Sequence, residues 1–364
     1  MKKITIVIGS ILIILTLLTS GCLDSLTGDD KTTIYQSHPT SLLYTIIYGY
    51  TVNCSGTGNY KINYDCDEPE IISGTVLSIS VQDSSYETKT IATYNMMKSW
   101  NIESSISKEY DLGITATISS NSYLVSDLNG NNALTISEIR NQYPDIVTRF
   151  TKAQYNETTI FIDPSDPDIQ DISFDILNQV GSENAFILAK ELFKWLKQNT
   201  TYQIHSGLNN VQPAATTLQI KTGDCDDLSF LYISLCRSIN IPARFIRGFL
   251  IVDDKSPAVP HAWVEVFVGG EIGNDGWIPI ECAGTSGNIN TEVHQNFGIE
   301  SAEHLRLFLD DGSNESLNIS LSGLTYLTYG AREIEAESYA QVTSYSIVKS
   351  NKLVIDENGN REYQ

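Results

Sequence analysis

The run from Lys221 to Glu281 limits what this chain can fold into more than any other stretch. Lys221-Thr222-Gly223-Asp224-Cys225-Asp226-Asp227 delivers the chain into Leu228-Ser229-Phe230-Leu231-Tyr232-Ile233-Ser234-Leu235, which reads as a buried helix starting at Cys225 and continuing toward Asn240. Ile241-Pro242 marks its end, since proline lacks the amide hydrogen a helix needs and clashes with the preceding turn. Ala243–Leu250, Ala262–Val268 and Trp277–Glu281 then read as three strands, with Gly269-Gly270 as the turn after the second. Upstream, Phe174, Ile176, Leu177 and Val180, then Ala185, Phe186, Leu188, Ala189, Leu192, Phe193 and Leu196, recur at helical spacing. Asn199-Thr200-Thr201-Tyr202 closes the second of these helices. A block of helices followed by a block of strands predicts an α+β fold, helices packed on an antiparallel sheet.

Cys225, His261 and Glu281 follow one another along this stretch. A thiol, an imidazole and a carboxylate are the three parts of a cysteine nucleophile with its base and orienter. Free cysteine is mostly thiol at neutral pH, and a helix N-terminus and a nearby imidazolium both favour the reactive thiolate. Asp224, Asp226 and Asp227 oppose that as local negative charges, although aspartate at a helix start also caps exposed N–H groups. His261 is therefore expected to do most of the activation. It takes the thiol proton and later protonates a leaving amine, while Glu281 holds the ring through its other nitrogen. The backbone N–H of Cys225 is the natural oxyanion donor. Trp263 and Trp277 are expected to wall the site and core, and Pro242 and Arg244 to be structural, the arginine pairing near its strand.

Four motifs stand in this order: Gly223-Asp224-Cys225-Asp226-Asp227, Arg237-Ser238-Ile239-Asn240-Ile241-Pro242-Ala243-Arg244, His261-Ala262-Trp263-Val264-Glu265-Val266 and Gly276-Trp277-Ile278-Pro279-Ile280-Glu281. Together they resemble the transglutaminase-like superfamily over roughly residues 185 to 285. The resemblance implies a papain-like cysteine fold with Cys225 as nucleophile, His261 as base and Glu281 in the place usually held by aspartate. Glutamate keeps the charge but reaches one methylene further, and Cys282 stands where the family commonly has proline. The implied activity is that of a cysteine peptidase or amidase on peptide or isopeptide bonds, with no cofactor required. A protein-crosslinking transglutaminase is the alternative within the same chemistry. A cell-surface binding module that retains the fold without catalysis is the alternative outside it.

The ends of the chain suggest where such a protein works. Lys2 and Lys3 precede an apolar run from Ile4 to Leu18 that meets Thr19-Ser20-Gly21 before Cys22. The run is too short to span a bilayer and reads as a signal peptide. Ser-Gly-Cys resembles a lipoprotein cleavage box, so Cys22 is expected to carry lipid and anchor an exported protein to the extracellular face of the membrane. Leu18 lies one place further from the cysteine than usual, which leaves plain cleavage or an uncleaved anchor open. The net charge of -21 makes nucleic acid and anionic lipid surfaces poor partners. Peptide or protein substrates, among them cell-envelope peptides, suit an anchored enzyme.

The 364 residues, 41% hydrophobic, allow two or three domains with real cores. The expected organisation is a signal peptide over 1–21, a polar tether over 22–40, a β-rich N-terminal domain over 41–170, the catalytic domain over 171–290 and a β-rich extension over 291–364. Within the N-terminal domain, Asp127-Leu128-Asn129-Gly130-Asn131-Asn132-Ala133-Leu134-Thr135-Ile136-Ser137-Glu138 is similar to an EF-hand loop. Asp127, Asn129, Asn131, Thr135 and Glu138, with the carbonyl of Ala133, would surround a structural calcium ion; Asn132 replaces the usual glycine. A turn before a capped helix is the simpler reading. Cys54 and Cys66 flank a turn-rich stretch and would form a disulfide across a hairpin in an oxidising compartment. Cys236 is expected as a core residue, and Cys282 as packing, a rival thiol or a redox partner. Sequons at Asn53, Asn156, Asn199, Asn314 and Asn318 permit glycosylation.

Overall fold

A computed structural model describes residues 3–5, 32–91, 95–204 and 211–364. The signal run, apart from residues 3–5, and the Cys22 anchor lie outside the described residues. Among the described residues no helix is long and apolar enough to cross a membrane.

The Cys225 helix, Cys225–Ser238, is the axis of the half expected to be catalytic, and its side chains from Asp227 to Ser238 are all buried. A helix apolar on every side must be wrapped. Pro167–Val180 and Ala185–Asn199 pack on one side of it, and a sheet covers the other. That sheet has four antiparallel strands in the order Trp277–Ile280, Val259–Phe267, Ala243–Leu250 and His304–Leu309. Side chains alternate across a strand. Ala262, Val264 and Val266 therefore share the helical core with Leu228, Phe230, Leu231 and Leu235, while Trp263 joins Ile246 and Leu309 on the other face.

The β-rich half is built on one long strand, Thr33–Thr57, which pairs with Ala331–Ile355 on one side and Lys108–Asn121 on the other. Leu42, Tyr44, Ile46, Tyr48, Tyr50, Val52 and Cys54 alternate into its core. A second sheet, containing Thr325–Thr328, Tyr60–Asp67, Asn95–Ser104 and Glu87–Ile91 in that order, contributes Tyr60, Ile62 and Trp100 to the same core. Leu305 and Leu307 enter it from the edge strand of the catalytic sheet. The two halves thus share one strand.

Four expectations are corrected. Residues 33–40, expected in the polar tether, are strand, because the C-terminal strand offers their backbone groups partners that polar side chains do not reveal. Residues 125–170, expected in the β-rich domain, contain the helices Ile136–Gln142 and Pro144–Phe150 and place Val125, Ile139, Phe150 and Ile162 in the helical core. Residues 291–364 are not an added extension, since His304–Leu309 completes the catalytic sheet and Ala331–Ile355 pairs along the first long strand. Cys54 and Cys66 are free and buried in different sheets. The chain changes sheet between them at Gly58, where φ is +119° and a Cβ would meet the Tyr329 carbonyl. The helix expected from the spacing of Phe174, Ile176, Leu177 and Val180 is present as Pro167–Val180, and it buries Ile169, Ser173 and Ile176 while Phe174 is exposed.

A buried ionic network joins the strands of the catalytic sheet. Glu265 accepts from Arg244 Nε at 2.8 Å and from Arg306 Nη2 at 2.7 Å, and Arg306 also reaches Glu300. Burial alone would raise the Glu265 carboxyl, but the two guanidinium groups overcome it and hold it at about 2. This contribution is complete above the unfolded glutamate value of about 4.3 and is lost as pH falls toward about 2. Asp227 has the opposite sign. Burial and the Asp224 charge push it up to about 6, so its contribution is complete below the unfolded aspartate value of about 3.9 and is lost as pH rises through about 6. Asp227→Asn is therefore expected to lose less stability than the parent as pH rises from about 4 to about 7. Thermal melts of the two proteins across pH check this; parallel pH dependences would contradict it.

Candidate active site

Cys225 is the first residue of its helix, and Asp224 is the N-cap. Asp227 answers in a capping box, accepting from the Asp224 amide at 3.2 Å, and its carboxylate also takes the amide of Gln212 at 2.6 Å. Asp227 is thus committed to holding the loop and the helix start together. A parallel pairing of Thr201-Tyr202 with Thr222-Gly223 fixes the approach to the nucleophile from the other side. The Tyr202 phenol is raised by burial and then by the charges of Cys225, Asp224 and Glu281. It therefore remains an O–H donor in the site.

The backbone N–H of Ala262 lies close enough to the Cys225 sulfur to favour its ionised form. That contact brings the helix N-terminus to the histidine strand at the residue next to His261. Burial raises the thiol well above its ordinary value, as do Asp226, Asp224 and Glu281 in turn, and only the Ala262 amide opposes them. The Cys225 sulfur is therefore held as S–H. Of the three aspartates expected to oppose ionisation, Asp224 and Asp226 do so directly.

His261 stacks on Trp263, with ring centroids 5.9 Å apart. Its Nε2 lies 2.6 Å from Glu281 Oε2. Burial would raise the Glu281 carboxyl, but His261 and His304 hold it well below the usual carboxylate range. An ionised carboxylate only accepts, so His261 Nε2 carries the proton and Nδ1 of the neutral ring is the basic nitrogen. Among the described residues, no hydrogen bond occupies that Nδ1. The other Glu281 oxygen accepts from the Ala283 amide at 2.7 Å, fixing the longer glutamate arm at both ends. Burial keeps Cys282 a thiol and raises Cys236 to about 12, so both are packing residues. Trp277 packs in the core against Phe150 and Phe267, under the guanidinium of Arg244 at 4.0 Å.

His304 escapes sequence reasoning. Its Nε2 lies 3.0 Å from the same Glu281 Oε2, its Nδ1 lies 2.8 Å from Ser301 Oγ, and its ring meets Trp263 edge-on at 4.8 Å. The available signal is its place at the head of His304-Leu305-Arg306-Leu307, an alternating run that reads as a strand.

The residues of the calcium-type loop have local partners. Glu138 Oε2 accepts from the Thr135 amide at 2.8 Å and from its hydroxyl at 2.7 Å, completing a capping box at Ile136–Gln142. Asp127 Oδ1 accepts from the Asn129 amide, and Asn129 Oδ1 from the Asn131 amide. Leu134, the apolar eighth position, donates its amide to Val268 O at 2.9 Å and docks the loop on the catalytic half. Ala133 donates its amide back to Gly130 O, closing a turn.

Residues 175–282 match the transglutaminase-like superfamily. No curated protein matches the chain. A solved structure from Cytophaga hutchinsonii, named a "putative cysteine protease", aligns over 90% of this chain and 99% of its own at 13% identity, with a TM-score of 0.53. The periplasmic domain of TgpA from Pseudomonas aeruginosa aligns over 71% of this chain and 94% of its own at 10% identity, with a TM-score of 0.32.

Proposed function

From the transglutaminase-like core carried by residues 175–282, we propose that this protein is a thiol acyl-transfer enzyme that works through Cys225, His261 and Glu281 and hydrolyses peptide or isopeptide bonds. The observation that carries the proposal is His261 Nε2 held 2.6 Å from Glu281 Oε2 on the strand that faces the helix begun by Cys225. A thiol stored as S–H calls for a base at the moment of attack rather than a standing thiolate. His261 Nδ1 takes the proton as sulfur bonds to the carbonyl carbon. The Cys225 amide, with Tyr202 O–H nearby, faces the developing oxyanion. His261 then returns the proton to the leaving amine as the C–N bond breaks, leaving a thioester. Water attacks the thioester, His261 takes its proton, and the C–S bond breaks to free the acid and restore the thiol.

The Lys2-Lys3 pair, the apolar run behind it and Cys22 support an exported protein tethered to the outer face of the membrane, where envelope peptides and extracellular proteins are the first substrates met. An amine in place of water would turn the same thioester into a crosslink. Turnover of 4-nitrophenyl acetate with and without added glycine ethyl ester separates the two. Hydrolysis is expected to dominate, with acetate as the main product; acetylated amine as the main product would make the protein a crosslinker. No Cys225-dependent turnover in either condition would favour the non-catalytic module.

A further inference from the structure

We infer that His304 is a positioning residue of this site: it holds Glu281 Oε2 against His261 from the side opposite the base. The inference rests on the acyl-transfer reading above and extends it beyond the region that matches the family, which ends at residue 282. One carboxylate oxygen receives both rings, His261 Nε2 at 2.6 Å and His304 Nε2 at 3.0 Å. Because that oxygen can only accept, both nitrogens must be N–H. His304 is itself fixed at its far nitrogen by Ser301 Oγ at 2.8 Å and along its edge by Trp263. Trp263 in turn stacks on His261 and donates its indole N–H to Glu300 Oε2 at 2.9 Å. Three rings and one carboxylate thus form a single braced layer.

The brace has a chemical consequence. A carboxylate bonded by two imidazole N–H groups and the Ala283 amide is a weaker acceptor toward any one of them. Glu281 then orients His261 without drawing its proton away, which leaves Nδ1 free to face the thiol. The ionisable groups facing His304 are Glu281 from the segment after the third strand, His261 from the histidine strand, Glu300 from the segment before its own strand, and its neighbour Glu303. All three carboxylates favour a proton on His304, against the burial that disfavours it.

The test is the rate of Cys225 acetylation by 4-nitrophenyl acetate, followed across about pH 5 to 9 in the full chain. His304→Leu, which fills the space and donates nothing, is expected to slow acetylation about 10- to 100-fold, the range typical of residues that orient a reacting group through another. It also moves the acid limb of the profile to higher pH, because Glu281 relieved of one donor holds the His261 proton more tightly. His304→Gln, whose amide N–H still reaches toward Glu281, is expected to recover most of the rate and the position of the limb. Ser301→Ala loosens the far end and is expected to move the limb the same way by a smaller amount. An unchanged limb in both His304→Leu and Ser301→Ala, or in Ser301→Ala alone where His304→Leu does not fold, would make His304 a packing residue only. A parent protein no faster than Cys225→Ala would instead remove the acyl-transfer reading itself, so the two failures are distinct.

Discussion

Replacing His261 with alanine is expected to slow acetylation of Cys225 by 4-nitrophenyl acetate about 10²- to 10⁴-fold at neutral pH, the range supplied by a positioned base. The size follows from how the thiol is stored. Burial, Asp226, Asp224 and Glu281 all keep the proton on sulfur, so the place of Cys225 at the helix start does not by itself hold a thiolate. Without the imidazole, nothing on the histidine strand can take that proton. The remaining rate is expected to rise steeply with pH as hydroxide replaces the base, whereas the parent rate flattens once His261 is neutral. Stopped-flow release of 4-nitrophenolate measures both. A His261→Ala rate within a few-fold of the parent at neutral pH would mean that the thiolate forms without the histidine.

The second large effect concerns stability. Glu265→Ala leaves Arg244 and Arg306 buried without their shared partner, and removing one member of a buried ionic group costs about 3 to 5 kcal/mol. The loss is not confined to Glu265. Arg306 also holds Glu300, and Glu300 accepts the Trp263 indole N–H beneath His261, so the network supports the ring layer of the site as well as the sheet. Urea unfolding of the parent and the variant gives the difference. A change smaller than about 1 kcal/mol, the worth of a surface pair, would show that the two arginines find other partners or water.

Sequence and structure agree where the signal is local. The Cys225 helix, its end before Pro242 and the three following strands are legible because helical spacing gives way to strand-forming residues across a proline. Arg244 pairs as expected, directly across from Glu265 in the adjoining strand. What escaped is non-local. The long strand Thr33–Thr57 finds its partner nearly three hundred residues later at Ala331–Ile355, and no periodicity in one strand names the other. The edge strand His304–Leu309 sits in a sheet whose other members end at residue 280, so a motif that stops at Glu281 cannot announce His304. The loop at Asp127–Glu138 shows the reverse difficulty. Its ligand-like spacing is also the spacing of two short turns and a Thr135–Glu138 capping box, and the sequence carries both meanings at once.

The glutamate at 281 draws these strands together. Read from sequence, it is a lengthened stand-in for aspartate. In the fold its longer arm ends between two histidines from the two strands that flank Ala243–Leu250 in one sheet. The most direct test of the central claim is to locate the acetyl group by peptide mass spectrometry after brief exposure of the full chain to 4-nitrophenyl acetate, quenched before the thioester turns over. The account predicts a single acetylated cysteine, Cys225, in the parent, and its near-complete loss in His261→Ala. Acetyl groups spread over several residues, or an equal yield on Cys225 when His261 is gone, would contradict it.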